Sequence, residues 1–300
     1  MIFDLHCDSL LADLKGSVTL DKLVKAKAAG QCFAVFINKA RVKDQWAFFE
    51  EKRAVLLKAL EENGGVSLTL TPGEAKNNLE NKKVSAVLTL EDADLVGGSA
   101  EGFDRLYAEG VRMASLIWNY PNCIGYPNSD DPSSDALTLT DFGRTAVEKM
   151  NALGMIIDVS HLNRGGFWDV TEISKKPVAA SHSCCDALRR HSRNLDDAQL
   201  RRLGETGGVV GINYYSRFLK EDGDMTQTED ILRHVTHAVN VAGIESVALG
   251  SDFDGIDTPV SFGGPEGYPE LIAALEKRFA ASQVELIAYK NFLRVWEAQS

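Results

Sequence analysis

No stretch of this 300-residue chain approaches the ~18 apolar residues that a membrane-spanning helix needs. No membrane partner is therefore expected. Basic runs are missing too. Lysine and arginine total 32 against 43 aspartates and glutamates, for a formal charge of −11. A surface that reads phosphates needs clustered cations, so nucleic acid is not an expected partner. The acidity bears mainly on solubility. The opening MIFDLHCDSL has no basic segment, no long apolar core and no small-residue cleavage site. It does not read as a signal peptide, and the expected location is cytoplasmic.

Cysteine is sparse. Cys7, Cys32, Cys123, Cys184 and Cys185 form no C-x-x-C and no framework spacing. A disulfide scaffold and a four-cysteine structural zinc are both disfavoured. Low-complexity tracts and repeats of 20–50 residues are absent. So is G-x-G-x-x-G after the first strand signal, where a dinucleotide-binding fold would carry it. The chain reads H-C-D-S-L there.

What the sequence does have is alternation. Short apolar runs fall near 2–6, 32–37, 84–90, 111–117, 154–160, 177–182, 208–213 and 246–252. Their near-continuous apolar character suits parallel strands buried on both faces. Amphipathic stretches separate most of them, at 43–62, 141–153, 196–205 and 227–242, and two more, 268–278 and 282–298, follow the last strand. Thr140 and Asp196 read as helix starts, and Gly154 and Gly207–Gly208 as the matching stops. Eight strands alternating with helices predict a single α/β domain over residues 1–300, either a closed parallel (β/α)8 TIM barrel or a doubly wound sheet, and the missing glycine fingerprint favours the barrel. The run 66–70 is a ninth, accessory strand, and helices end the chain. The polar stretch 119–136 is a long loop after the fourth barrel strand, on the face where such barrels place their active sites.

The strand tips carry the chemistry. His6 and Asp8 end the first strand as H-x-D, where alternation along a strand points both side chains to one side, a weak signal by itself. Glu91 ends the third, in TLE. His161 ends the fifth, in DVSH, and His182 the sixth, in ASH. Asp252 and Asp254 follow the eighth, in GSDFDG. A parallel barrel brings all these tips to one face. Buried imidazoles and carboxylates at five tips are costly unless paired or metal-bound, and imidazole with carboxylate suits zinc. The other histidines fit this pattern less well. His234 and His237 sit in a predicted helix as packing or surface residues, and His191 lies in a loop. Asp254 reads as a turn residue before Gly255.

These segments resemble the renal, or membrane, dipeptidase family of metallopeptidases. The resemblance runs through FDLHCDSL at 3–10, LTLED at 88–92, LTLTDFGRTAVEKMNALGMIIDVSH at 137–161, ASHS at 180–183, HSRNLDD at 191–197, GINYY at 211–215, LGSDFDGI at 249–256 and NFLRVWEA at 291–298. It implies a barrel of the metallo-dependent hydrolase type and two Zn²⁺ ions, with His6 and Asp8 on one, His161 and His182 on the other, and Glu91 bridging both. It implies hydrolysis of small dipeptides, L-D dipeptides included, by a hydroxide shared between the ions, with Asp252 handling protons and Glu91 part of the catalytic set. Arg193 would take the substrate's terminal carboxylate. On the residues alone, Arg193 reads as an ion-pair partner of Asp196 and Asp197. The resemblance further implies a homodimer.

One position departs from the family. Where its animal members carry a histidine after the fourth strand, this chain has Trp118. The indole offers one N–H donor and no acid–base function. Trp118 then either bounds the substrate pocket or packs as a core aromatic, and Asn119, Asn122 and Tyr215 are further pocket candidates. The departure keeps a second substrate class open: another small carboxylate-bearing amide, such as an N-acyl amino acid or a lactam. A metal-binding protein without catalysis would have lost cage residues, and none is missing.

Overall fold

The computed structural model describes all 300 residues. The first part of the chain runs β1 (Phe3–Cys7), α1 (Leu20–Lys25), β2 (Gly30–Phe36), α2 (Gln45–Glu62), β3 (Val66–Leu68), α3 (Pro72–Glu80) and β4 (Val84–Glu91). Then come α4 (Glu101–Ala108), β5 (Val111–Ser115), α5 (Asp141–Leu153), β6 (Ile156–Asp158), α6 (Arg164–Ile173), β7 (Ala179–Ser183) and α7 (Asp197–Glu205). The last part holds β8 (Val209–Ile212), α8 (Ser216–Leu219), α9 (Thr228–Ala242), β9 (Val247–Leu249), α10 (Tyr268–Glu276), α11 (Ala281–Glu285) and α12 (Asn291–Glu297).

Every strand pairing is parallel. The order β2-β1-β9-β8-β7-β6-β5-β4 closes through β2 and β4, which pair from Gly30–Ser85 to Phe36–Glu91. This is an eight-stranded parallel barrel wrapped by helices. The accessory strand is present as β3, beside the start of β4. The helix signals hold locally. Thr140 accepts from Gly143 N–H at the start of α5, and Gly154 ends it at φ 73°. Asp196 and Gln199 form a capping box on α7.

Two apolar layers share the strands. The larger lies between strands and helices. The smaller gathers Phe3, Leu5, Cys32, Val87, Met113, Ile156, Ala179, Val209 and Ala248, at least one residue from each barrel strand. Apart from Ala75 of α3 and the residues of α12, its buried members lie on or beside the strands, as befits the barrel interior. Phe292, Leu293, Val295 and Trp296 of α12 join this cluster, so the last helix plugs the end where the strands begin. Asn291 ties the plug down by donating to the carbonyls of Ile244 and Val247.

The strands that bear His6 and His182 are irregular at those residues. From Asp4 to Cys7, β1 advances three residues while β2 advances two, from Gln31 to Phe33. From Ala180 to Ser183, β7 does the same against Val210–Ile212 of β8. Each is a one-residue bulge, which re-aims the side chain beside it. Strict alternation from inward Phe3 and Leu5 would send His6 outward. The extra residue turns it in and leaves Cys7 in the outer layer. Gly211 and Gly250 make room for the second bulge, because a Cβ at either would collide with the Ser181 carbonyl.

The plug predicts a stability effect. Trp296 is almost wholly buried. Trp296→Ala should cost about 3–5 kcal/mol, read as a fall in urea midpoint at unchanged m value. An unchanged midpoint would mean the barrel does not depend on its plug.

Candidate metal centre

Every side chain of the site comes from the open end of the barrel. His6 lies on β1 and Asp8 just beyond it. Glu91 is the last residue of β4 and His182 the fourth of β7. His161 and Asp252 lie three residues past β6 and β9, farther out than a strand tip, in turns with φ of 69° and 62°. Positive φ is unfavourable for residues with a Cβ and persists where the surroundings enforce it. For His161 the enforcement is visible: its carbonyl accepts from Asn128 N–H at 2.7 Å, and Leu162 bridges to Pro127.

The five expected ligands meet in one buried cage. Glu91 Oε1 stands 2.9 Å from His161 Nε2 and 3.5 Å from His182 Nε2, while Oε2 stands 3.6 Å from His6 Nε2. His6 Nε2 is also 3.7 Å from Asp8 Oδ1 and 3.8 Å from Asp252 Oδ1. The rings of His6 and His182 stack at 3.8 Å. Two donor sets result: Glu91, His161 and His182 form one, and His6, Asp8 and Asp252 the other. His6, Asp158 and His182 also lie close together, but both Asp158 oxygens are spent on Ser160 and Ser181.

The hydrogen bonds behind the cage decide whether a cation fits. Asn119 Oδ1 lies 2.9 Å from His161 Nδ1, and an amide oxygen only accepts, so the proton is on Nδ1. Ser181 Oγ donates to Asp158 and lies 2.7 Å from His182 Nδ1, so it accepts the proton there as well. Both Nε2 atoms then present bare lone pairs 3.0 Å apart, facing a carboxylate oxygen. His6 Nε2 and Asp8 Oδ1 are buried with no hydrogen-bond partner. A Cβ at Gly255 would strike the Asp8 and Asp252 carboxylates. Acceptors converge, none is satisfied by a donor, and space is kept clear. A divalent cation fits this donor set.

The electrostatics agree. Burial works against a charged His6, yet Glu91, Asp8 and Asp252 outweigh it and raise its pKa to about 10. Burial also opposes the Glu91 carboxylate, but His6, His161 and His182 hold its pKa well below the usual range. Burial lowers His161 to about 4, helped by Arg193, and takes His182 well below its ordinary value, helped by His6. Asp8 is pushed well up by burial and by Glu91. A proton on His6 thus stands where positive charge is wanted.

The comparisons with known proteins point the same way. The family model described as membrane dipeptidase (peptidase family M19) matches residues 3–300. The chain belongs to this family. An uncharacterized protein of the pqqA 5′ region of Klebsiella pneumoniae is 36% identical over 77% of this chain and 88% of its own length. An uncharacterized dipeptidase of Schizosaccharomyces pombe is 36% identical over 72% of this chain, and the chain spans about half (53%) of that longer relative. Among solved structures, the metallopeptidase dipeptidase AC of family M19 superposes with a TM-score of 0.93, at 27% identity, over 99% of this chain and 98% of its own. A Rhodobacter sphaeroides metallopeptidase, bound to a phosphinate mimic of L-Ala-D-Ala, gives 0.87 at 26% identity over 100% and 99% of the two chains.

This M19 metallopeptidase also uses residues that its sequence did not single out. Asp158 and Ser181 orient His182. Asn213 donates to Asp252 Oδ2 at 2.9 Å, its own oxygen being taken by Tyr215 N–H. Asp254 does more than turn the chain. It accepts from Ser9 Oγ, Ser17 N–H and Val18 N–H, and so holds the loop after β1. The D-x-x-H spacing that puts Asp158 at the foot of the His161 turn was a readable signal. Asn213 gave none beyond its place after a strand. Asn122 is folded back onto Asp92 and Leu116 and bonds its own loop. His234 and His237 lie elsewhere, bonded to Cys185 and Leu219 and to Asp197 respectively.

Two measurements test the cage. Ser181→Ala removes the acceptor behind His182 without touching a ligand. Metal affinity by competition with a chromophoric chelator should fall about 10- to 100-fold while the fold persists; unchanged affinity would remove Ser181 from the account. Metal uptake must also displace the proton held by His6. Below a pKa of about 10 that proton competes with the cation, so affinity should rise with pH between 6 and 9, by about tenfold per unit for one proton. Calorimetry in buffers of different ionisation enthalpy reads the proton release. A pH-independent affinity would contradict it.

Proposed function

We propose that this chain is a binuclear zinc dipeptidase, with residues 1–300 working as one catalytic unit. His6 and Asp8 would hold one zinc ion, His161 and His182 the other, and Glu91 would span both through its two oxygens. Bound there, the ions would supply Lewis-acid polarisation of a carbonyl and a water of lowered pKa. The rest of the work falls to the protein.

Arg193 carries the reading. It lines the same cavity of about 640 Å³ as Asp8, Glu91, His161 and Asp252. It is buried, and one Nη donates to the His182 carbonyl at 3.1 Å, which fixes it at the end of β7. No carboxylate pairs with it. Asp196 pairs with Arg164, and Asp197 with His237 and Arg201. A buried guanidinium whose remaining donors face a cavity suits a substrate carboxylate, gripped through two parallel bonds. A carboxylate anchored in the cavity that holds the cage would limit the substrate to about two residues, and the R. sphaeroides relative is bound to a mimic of the dipeptide L-Ala-D-Ala.

Asp252 is the proton carrier in this reading. Asn213 holds its Oδ2, leaving Oδ1 toward the cage. Burial, with Glu91 nearby and despite His6, lifts its pKa to about 6. A carboxyl poised near neutral pH takes a proton at Oδ1 and returns it to the leaving amine. Asn119 acts through His161, and Trp118 and Tyr215 wall the cavity. A cytoplasmic location and a homodimer belong to the same proposal. No helix is long and apolar enough to cross a membrane.

Arg193→Ala, reconstituted with zinc, should lose about 100-fold or more in kcat/KM on dipeptides while retaining its metal. Dipeptide amides, which lack the carboxylate, should be poor substrates for both proteins. Wild-type kinetics in the variant would sink the anchor. Faster turnover of N-acetyl amino acids than of dipeptides would move the substrate to the N-acyl class.

A further inference from the structure

The barrel's strand order assigns a direction to the cavity. Around the mouth the order is β1, β2, β4, β5, β6, β7, β8, β9. Arg193 is fixed to the end of β7. Four places around the ring, diametrically across the mouth, stands β2, whose last residue is Phe36. Glu91 of β4 stands next to β2, and Trp118, which follows β5 a quarter-turn from β7, reaches back toward Phe36. Phe36 and Trp118 pack with ring centroids 4.7 Å apart at 54°, and Tyr120 meets Trp118 edge-on at 5.4 Å. Phe36 and Trp118 are only half-buried, and both line the cavity together with Leu11, which is 42% exposed. No protein group accepts from the indole N–H. The cavity therefore has a cationic clamp on one wall, the cage at its floor and an aromatic face on the wall opposite.

We propose that the Phe36–Trp118 face, extended by Leu11, receives the side chain of the substrate's amino-terminal residue and selects dipeptides with a large apolar or aromatic residue there. The proposal rests on the dipeptidase reading, because Arg193 gives the substrate its direction. With the carboxylate on β7 and the scissile amide over the cage, the amino-terminal residue extends toward β2 and β5. Rings packed at a tilt leave a partly exposed apolar surface to which another ring or a branched aliphatic chain can add, and water is displaced when it does. A glycine leaves that surface wet. Trp118 thus acts here as a specificity residue, which its indole can do and an acid–base role would not allow.

The test uses zinc-loaded protein and four dipeptides with alanine at the carboxyl side and glycine, alanine, leucine or phenylalanine at the amino side. The wild type should prefer Phe-Ala over Gly-Ala by about tenfold or more in kcat/KM, chiefly through KM. Trp118→Ala and Phe36→Ala should each compress that ratio to about threefold or less, chiefly by raising KM for Phe-Ala and Leu-Ala. A wild type indifferent to the amino-terminal side chain would overturn the proposal, and so would variants that lose all four substrates equally. A second readout needs no turnover. Phe-Ala should perturb the fluorescence of Trp118, at lower concentration than Gly-Ala does, and Trp118→Phe should remove that signal and leave the contribution of Trp46, Trp168 and Trp296. If no dipeptide is hydrolysed, the dipeptidase reading fails. The titration still decides the wall, and equal affinities for Phe-Ala and Gly-Ala would overturn it.

Discussion

The mouth of this barrel is organised around atoms that repel one another. The Nε2 lone pairs of His161 and His182 face each other at 3.0 Å, and both face Glu91 Oε1. Buried acceptors without donors are costly, by several kcal/mol for charged groups. They stay together because each is fixed from behind, His161 by Asn119 and His182 by the chain Ser181–Asp158. Those bonds choose the tautomer as well as the position. With the proton held at Nδ1, neither ring can relieve the repulsion by turning Nε2 into a donor. A cation relieves it, and so, less completely, does a proton on His6.

Such a site demands a rigid frame, and the two ends of the barrel divide the labour. At the closed end the interior is apolar, and α12 inserts Phe292 and Trp296 as a plug. This end supplies burial energy and carries no titratable group of the cage. At the open end, regularity is broken wherever a ligand must be aimed. The bulges of β1 and β7 turn in His6 and His182, and left-handed backbone places His161 and Asp252. Strain and unpaired charge collect there, supported by the packing below them.

These devices account for how far the sequence could be read. The eight strand runs were legible because parallel strands buried on both faces are apolar along their length. The candidate ligands were legible because histidine and carboxylate at the end of such a run are costly to bury unless something pairs with them. The bulges were not, since an extra residue changes register without changing composition. H-x-D looked like simple alternation. In fact β1 reaches its geometry only through the irregularity between Asp4 and Cys7. The helices α3, α4 and α6 were not legible, and two of them open on residues that signal turns, Pro72–Gly73 and Gly165–Gly166. In α6 Gly165 is needed for room rather than flexibility, since a Cβ there would strike the Leu137 carbonyl. Arg193 was ambiguous for a different reason. Its sequence neighbours Asp196 and Asp197 are plausible partners, and only the fold shows both engaged elsewhere.

The departure at Trp118 is best understood through the unequal steepness of polar and apolar recognition. In the proposed reading, a substrate without a carboxylate leaves the buried Arg193 guanidinium without its charge-assisted bonds, so recognition there would be steep. An apolar face discriminates by amounts of about 1–3 kcal/mol per methylene-sized change. Exchanging a polar side chain for an indole after β5 therefore leaves the cage intact, because no ligand comes from that loop. It also leaves the clamp intact, because Arg193 is anchored across the barrel on the His182 carbonyl. In the proposed reading, what it alters is the surface that would face the far end of the substrate. On the same reading metal ligands set the floor and a fixed charge sets one wall, so that surface is the part free to vary, and a change there would re-rank substrates without changing the reaction.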